Sequence, residues 1–118
     1  MKILVADDEP LIVELMTEYL SAAGHAVVST DNAATLVQMV LADAPELIFL
    51  DINMPGIRDV IISPKIKIPQ EIRHIPIVAI TGNEPEKLYA AGLPETIPVL
   101  KKPIDFDEVD AKIKEITG

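Results

Sequence analysis

Five polar residues of this chain could together carry out phosphoryl chemistry: Asp7, Asp8, Asp51, Thr81 and Lys102. Carboxylate oxygens suit Mg²⁺, which binds proteins through one or two carboxylates and keeps several waters. A carboxylate can also attack phosphorus and form an aspartyl phosphate. A lysine ammonium can pair with a phosphoryl oxygen, and a threonine hydroxyl can donate to another. If the fold brings the five together, they predict a site that binds a cation and accepts a phosphoryl group.

Each of these residues stands at the end of an apolar run that has the pattern of a β-strand. The runs cover residues 3–6, 26–29, 47–50, 76–80 and 99–101, and the one at 26–29 carries none of the five. Short, unbroken apolar runs are typical of strands that are buried on both faces. The carboxyl ends of parallel strands lie along one edge of a sheet, so we expect the five residues to meet there.

Segments with helical spacing of apolar residues separate the strands. The first begins with an Asp cap and an early proline and ends at Gly24. The second begins at a cap on Asp31 or Asn32 and stops before Pro45, and the last begins near Asp105. Alternating strands and helices predict βαβ units. We therefore predict an α/β fold, a flavodoxin-like doubly wound five-stranded parallel sheet of order 2-1-3-4-5. Its ligand site would lie at the switch point between the first and third strands.

Two of the connecting helices are predicted to be irregular. Residues 57–74 should supply the third helix but contain Pro64 and Pro69, and proline inside a helix costs about 3 kcal/mol. We expect that helix to be short, broken or absent. The fourth helix, over residues 84–92, is expected to be short.

The composition fits one domain over residues 1–118 with an aliphatic core, since 49% of the residues are hydrophobic and 3% aromatic. The chain has no cysteine, which excludes disulfides and thiolate metal sites. A net charge of -9 without a basic face argues against binding to nucleic acid. We expect no signal peptide, because residues 1–5 are followed at once by acidic residues, and no apolar run reaches the roughly 18 residues that span a membrane. We expect a cytoplasmic protein that does not insert into membranes.

Four separated motifs resemble, in order and spacing, those of the receiver domain of two-component response regulators. They are Lys2-Ile3-Leu4-Val5-Ala6-Asp7-Asp8-Glu9, Leu50-Asp51-Ile52-Asn53-Met54-Pro55-Gly56, Ile80-Thr81-Gly82 and Lys102-Pro103. The resemblance covers the whole chain and implies a stand-alone, single-domain regulator. It implies that Asp51 is the phosphoacceptor. It also implies that Asp8 and Asp51 bind Mg²⁺ through their side chains, Asn53 through its backbone carbonyl, and Asp7 mostly through water.

The same resemblance implies the roles of the remaining residues and the partners. Thr81 would move toward the phosphoryl group, Lys102 would contact it, and the peptide bond between Lys102 and Pro103 would be cis. Asn53 and Asn83 occupy positions that tune dephosphorylation in this family. The phosphoryl donor would be a sensor histidine kinase or a histidine phosphotransfer protein, and a downstream protein would receive the signal. The chain would be no enzyme beyond its own phosphorylation and dephosphorylation.

The sequence departs from the family pattern in its read-out. Val99 stands three residues before the lysine, where the family usually has an aromatic residue that changes rotamer on activation. Asp59 stands where the family usually has glycine. We expect intact phosphorylation chemistry with an atypical output.

Three alternatives use the same residues differently. A receiver-like docking module would keep the fold without switching, and the irregular helices favour it mildly. A phosphatase of the haloacid-dehalogenase type needs a general acid two residues after the nucleophile, but Asn53 cannot protonate a leaving group. A flavin or dinucleotide module needs a phosphate loop after the first strand, where Asp7 and Asp8 would repel phosphate.

Overall fold

The computed structural model describes residues 1–56, 74–82, 84–90, 92–93 and 95–117. Five β-strands lie in this part of the chain: β1 Lys2–Ala6, β2 Ala26–Thr30, β3 Leu47–Asp51, β4 Ile77–Thr81 and β5 Val99–Lys101. The helices among the described residues are α1 Pro10–Ala22, α2 Leu36–Asp43, α3 Pro85–Ala90 and α4 Phe106–Thr117. One 3₁₀ turn, Ala33–Thr35, leads into α2.

The five strands form one parallel sheet of order β2-β1-β3-β4-β5, which confirms the predicted topology. The register brings the strand ends level with one another. Ala6 is opposite Leu50, and Thr81 is opposite Lys101. Polar residues that end successive strands therefore lie along one edge of the sheet, as the strand pattern indicates.

The sheet is covered on both faces, because successive side chains of a strand point to opposite sides. Leu4, Ile48 and Leu50 belong to a core cluster that includes Leu36 and Val40 of α2. A second cluster lies on the other face and contains the alternate strand residues together with residues from α1 and α4. Its buried members are Ile3, Val5, Met16, Leu20, Leu47, Phe49, Val78, Ile80, Leu100, Val109 and Ile113. These two apolar layers hold the strand ends, and so the polar residues on them, in fixed relative positions.

One predicted helix cap is wrong, and the other is confirmed at the 3₁₀ turn rather than at α2 itself. The N-cap of α1 is Glu9 and its side chain makes no capping hydrogen bond, so the predicted Asp cap is wrong. Asp7, two residues earlier in the chain, accepts the Glu9 N–H through Oδ1 at 2.8 Å instead. The predicted Asn32 cap is confirmed, because its Oδ1 accepts the Ala34 N–H at 2.8 Å, but it caps the 3₁₀ turn that precedes α2.

The helix predicted over residues 84–92 is short, as expected, with α3 spanning six residues. The predictions for the third helix and for Asp59 lie outside the described residues, and so does that for Asn83. The peptide bond between Lys102 and Pro103 is cis, in agreement with the prediction. Among the described residues no helix has both the length and the apolar character needed to cross a membrane.

Candidate functional site

The structure brings the five predicted residues to one edge of the sheet. Asp7 and Asp8 follow β1, Asp51 ends β3, Thr81 ends β4 and Lys102 follows β5. Each of the three carboxylates offers one oxygen atom, and these atoms all lie within 4.8 Å of one another. The carboxylates therefore form one cluster, which we call the acidic cluster.

Burial differs sharply among these side chains. Asp7, Asp51 and Thr81 are the buried polar residues of the described part of the chain, with exposures of 0%, 1% and 0%. Asp8 is exposed, and 15% of the Lys102 side chain is exposed. Two carboxylates are thus withdrawn from water, a costly arrangement unless cations and hydrogen bonds compensate for it.

Backbone N–H groups orient the two buried carboxylates in the same way. Asp51 Oδ1 accepts the N–H of Asn53 at 2.8 Å, and Asp7 Oδ1 accepts the N–H of Glu9 at the same distance. Such contacts, two residues along the chain, are the hydrogen bonds of Asx turns. Because each Oδ1 is occupied by its own turn, each Oδ2 is left for the site.

Both Oδ2 atoms face the ammonium group of Lys102. Its Nζ lies 3.2 Å from Asp7 Oδ2 and 3.4 Å from Asp51 Oδ2. The backbone adds to this placement, since the Lys102 N–H donates to the Thr81 carbonyl at 2.6 Å. The neighbouring Lys101 is exposed and pairs instead with Glu84. The structure therefore distinguishes Lys102 from Lys101 as the lysine of the site.

Electrostatic effects shift the pKa values of both partners. Burial raises the pKa of Asp51 above its ordinary value, and Asp7 adds repulsion, although the Asn53 N–H and the Lys102 ammonium act in the opposite direction. Burial alone would lower the pKa of Lys102, but its contacts with Glu9, Asp51 and Asp7 outweigh burial and raise it. The lysine therefore stays charged, whereas burial and the neighbouring Asp7 disfavour the ionised form of Asp51.

Thr81 is connected to the Asp51 turn by a side-chain hydrogen bond. The Asn53 side-chain amide donates to Thr81 Oγ1 at 3.1 Å. The hydroxyl consequently lies beside the residues that orient Asp51.

The acidic cluster fits a divalent cation with oxygen ligands. Asp7 Oδ2 is buried and has no hydrogen-bond partner within the described residues, although the Lys102 ammonium lies near it. A buried carboxylate oxygen of this kind is satisfied when it, or a water bound to it, faces a cation. Three carboxylates in close proximity favour the same occupant.

A family model described as the response regulator receiver domain matches residues 3–114 of the chain. This chain is a response regulator receiver domain. The receiver domain is 32% identical over 117 residues to the response regulator PleD of Caulobacter vibrioides, covering 98% of this chain and 26% of PleD. It is 25% identical to the polar-differentiation response regulator DivK of Brucella anthropi, covering 98% of this chain and 95% of DivK.

Solved structures of response regulators share the fold of this receiver domain. One from Desulfuromonas acetoxidans has a TM-score of 0.76 at 22% identity and covers 98% of this chain and 95% of its own. Chemotaxis protein CheY4 of Vibrio cholerae has a TM-score of 0.74 at 20% identity, covering 98% of this chain and 97% of its own. These structures confirm the receiver fold, and the family match over residues 3–114 assigns the chain to two-component signalling.

One residue of this receiver domain site, Glu9, was missed by sequence reasoning, which treated it only as part of a helix start. Its Oε1 lies 2.7 Å from Lys102 Nζ, closer than either buried aspartate. The signal that could have found it is its position, since a third carboxylate follows the acidic pair directly. A glutamate there can reach across the mouth of the site, because its side chain is longer than that of aspartate.

Proposed function

We propose that this receiver domain accepts a phosphoryl group on Asp51, with Mg²⁺ bound at the acidic cluster, and signals through a partner protein. The observation that carries the proposal is the geometry of Asp51: a buried carboxylate whose Oδ1 is held by a backbone N–H and whose Oδ2 faces an ammonium group at 3.4 Å. A fixed, desolvated oxygen beside a cation is placed for nucleophilic attack on phosphorus.

The transfer follows directly from this arrangement. Asp51 Oδ2 attacks the phosphorus of a phosphohistidine, an O–P bond forms, and the P–N bond breaks with its electron pair going to the imidazole nitrogen. The imidazole leaves and takes up a proton. Lys102 pairs with a phosphoryl oxygen as negative charge gathers there. The donor would be a sensor histidine kinase or a histidine phosphotransfer protein.

Mg²⁺ would be held by Asp8 and Asp51 through their carboxylates, by the backbone carbonyl of Asn53, and by Asp7 mostly through water. When bound, it would neutralise the clustered carboxylates and the charge on the phosphoryl oxygens. The gathering of the Asp7, Asp8 and Asp51 carboxylates within 4.8 Å of one another supports this assignment.

Thr81 would report the presence of the phosphoryl group. Its hydroxyl accepts from the Asn53 amide and can turn to donate to a phosphoryl oxygen. The position that relays this movement through an aromatic residue in other receiver domains is occupied here by Val99. Its side chain is half-buried against the core cluster on the α2 face. A valine has no ring to reorient, so we infer that the output depends on another movement of this surface.

The domain would act in the cytoplasm on a downstream protein, and its chemistry would be confined to its own phosphorylation and dephosphorylation. Similarity to DivK, of whose length this chain covers 95%, supports a role as a response regulator. The six-residue α3 favours one other candidate, a docking module of the same fold that does not switch.

Phosphoramidate and Mg²⁺ test the proposal, because this small donor carries the P–N bond of phosphohistidine. We expect the protein to gain one phosphoryl group, detected by intact mass. EDTA should prevent the gain, and so should Asp51→Asn, whereas Asp31→Asn, which removes the same charge from an exposed position, should not. Failure of the wild-type protein to react or to bind Mg²⁺ would favour the docking module instead.

A further inference from the structure

Glu9 is the N-cap residue of α1, but its side chain does not cap the helix. Its backbone has an extended conformation, its N–H is held by Asp7, and its side chain makes no capping hydrogen bond. The carboxylate instead lies 2.7 Å from Lys102 Nζ. The side chain therefore contacts Lys102, which follows β5, instead of capping its own helix.

Three carboxylates share the Lys102 ammonium, and Glu9 makes the shortest contact of the three. Their freedom to move differs. The Asp7 and Asp51 side chains are 0% and 2% exposed and are held by backbone N–H groups, whereas the Glu9 side chain is 58% exposed. Glu9 is consequently the one partner that can leave the ammonium and become solvated at little cost.

Glu9 is also separate from the acidic cluster. The carboxylates that come together within 4.8 Å in the described part of the chain are those of Asp7, Asp8 and Asp51. Glu9 contacts the lysine side of the site instead. Its charge therefore acts on the residue that would receive the phosphoryl oxygen.

We propose that Glu9 is a positioning residue that holds Lys102 in the unphosphorylated protein and competes with the phosphoryl group for it. The inference rests on the proposed function, since it assigns Lys102 to a phosphoryl oxygen. Phosphorylation then requires an exchange, in which Lys102 leaves Glu9 Oε1 and takes the phosphoryl oxygen. The Glu9 carboxylate, left beside a second anion, is repelled into solvent. Glu9 thus lowers the affinity of the site for phosphoryl groups.

Beryllofluoride, a phosphoryl mimic that binds aspartate, measures this competition at saturating Mg²⁺. We expect Glu9→Gln to lower its dissociation constant about two- to fivefold, the range for one partly exposed ion pair. Glu18→Gln is the matched control, because it removes the same charge from an exposed position on the same helix. The chain lacks tryptophan, so binding is best followed by NMR or calorimetry.

The Lys102 ammonium gives a second readout that does not depend on binding. Its ¹⁵N resonance in the ligand-free protein should shift in Glu9→Gln and stay in place in Glu18→Gln. A dissociation constant for Glu9→Gln equal to that of the control would overturn the inference. Weaker binding, the result expected if Glu9 helps to hold the cation, would overturn it too.

The wild-type protein separates this inference from the proposed function. If the wild type binds beryllofluoride and Glu9→Gln behaves like the control, only the role of Glu9 is wrong. If the wild type does not bind beryllofluoride in the presence of Mg²⁺, both the proposed function and the role of Glu9 are overturned.

Discussion

Neutralising Asp51 should stabilise the metal-free protein, although the change removes a contact with Lys102. Asp51→Asn keeps the size of the side chain and an oxygen that can accept the Asn53 N–H. It removes a charge that is buried and that shares its surroundings with two other carboxylates. A site in which three carboxylates are gathered should be less stable without a bound cation than a site of the same shape with one carboxylate neutralised.

The structure sets the size of the effect. At an effective dielectric constant of about 20, the attraction of Asp51 to Lys102 at 3.4 Å is about 5 kcal/mol. Buried Asp7, at most 4.8 Å away, repels it by at least about 3.5 kcal/mol, and exposed Asp8 adds about half of that after solvent screening. The attraction and the two repulsions nearly cancel. The cost of burying the Asp51 charge therefore decides whether the substitution stabilises the protein. We expect a gain of about 1–2 kcal/mol in the free energy of unfolding, or about 4–8 °C in melting temperature.

The raised pKa of Asp51 also determines how the stabilising effect of Asp51→Asn depends on pH. Because the pKa of Asp51 is raised in the folded protein, folding favours its protonated form. This residue favours the folded state most at a pH below its ordinary pKa, and the contribution is lost as pH rises through the raised value. The advantage of Asp51→Asn should therefore be largest at a pH above the raised pKa of Asp51 and shrink as the pH falls through it toward the ordinary carboxyl range.

Thermal unfolding in EDTA, compared with unfolding in Mg²⁺, measures both effects. Asp31→Asn is the control for the change in net charge. Mg²⁺ at ten times its dissociation constant should add about 1.4 kcal/mol to the wild type and less to Asp51→Asn. If Asp51→Asn is destabilised in EDTA relative to Asp31→Asn, attraction to Lys102 outweighs burial and repulsion, and the reasoning is refuted.

Two further predictions concern the lysine of the site and the hydrogen bond between Tyr19 and Asp110. Lys102→Gln should abolish phosphoryl labelling. Lys101→Gln should leave it nearly unchanged, because Lys101 is exposed and pairs with Glu84 rather than with the acidic cluster. Equal effects of the two substitutions in a labelling assay would contradict the assignment of Lys102 to the site. The pKa of Tyr19 is raised, first by its hydrogen bond to Asp110 and then by burial. In Tyr89→Phe, which leaves Tyr19 as the one tyrosine, ultraviolet titration should show ionisation above the ordinary range, and Asp110→Asn should lower it.

The sequence was sufficient to predict the sheet, because both faces of it are covered. Runs such as residues 3–6 and 47–50 are apolar without interruption, which is the pattern of strands buried on both faces. Right-handed crossovers then leave few arrangements. The site followed from the sheet, since polar residues at the ends of parallel strands must share an edge.

Side-chain contacts between distant segments could not be predicted in the same way. Glu9 and Lys102 are separated by 93 residues, and their contact depends on rotamers of two long side chains. The Asp cap was wrong for a related reason. Asp7 uses its oxygen on the Glu9 N–H, so the chain enters α1 through an Asx turn rather than through a capped end. Sequence spacing does not show which of several neighbouring oxygen atoms will accept the hydrogen bond from a given backbone N–H.

The most direct test of the central claim is to find the residue that carries the phosphoryl group. Protein treated with phosphoramidate and Mg²⁺ can be reduced with borohydride, which converts an aspartyl phosphate to homoserine, and the modified position can be read by peptide mass spectrometry. We expect homoserine at position 51 in the wild type and at no other aspartate. Modification at Asp7 or Asp8 with Asp51 unchanged, or no modification at all, would contradict the assignment of Asp51 as the phosphoacceptor.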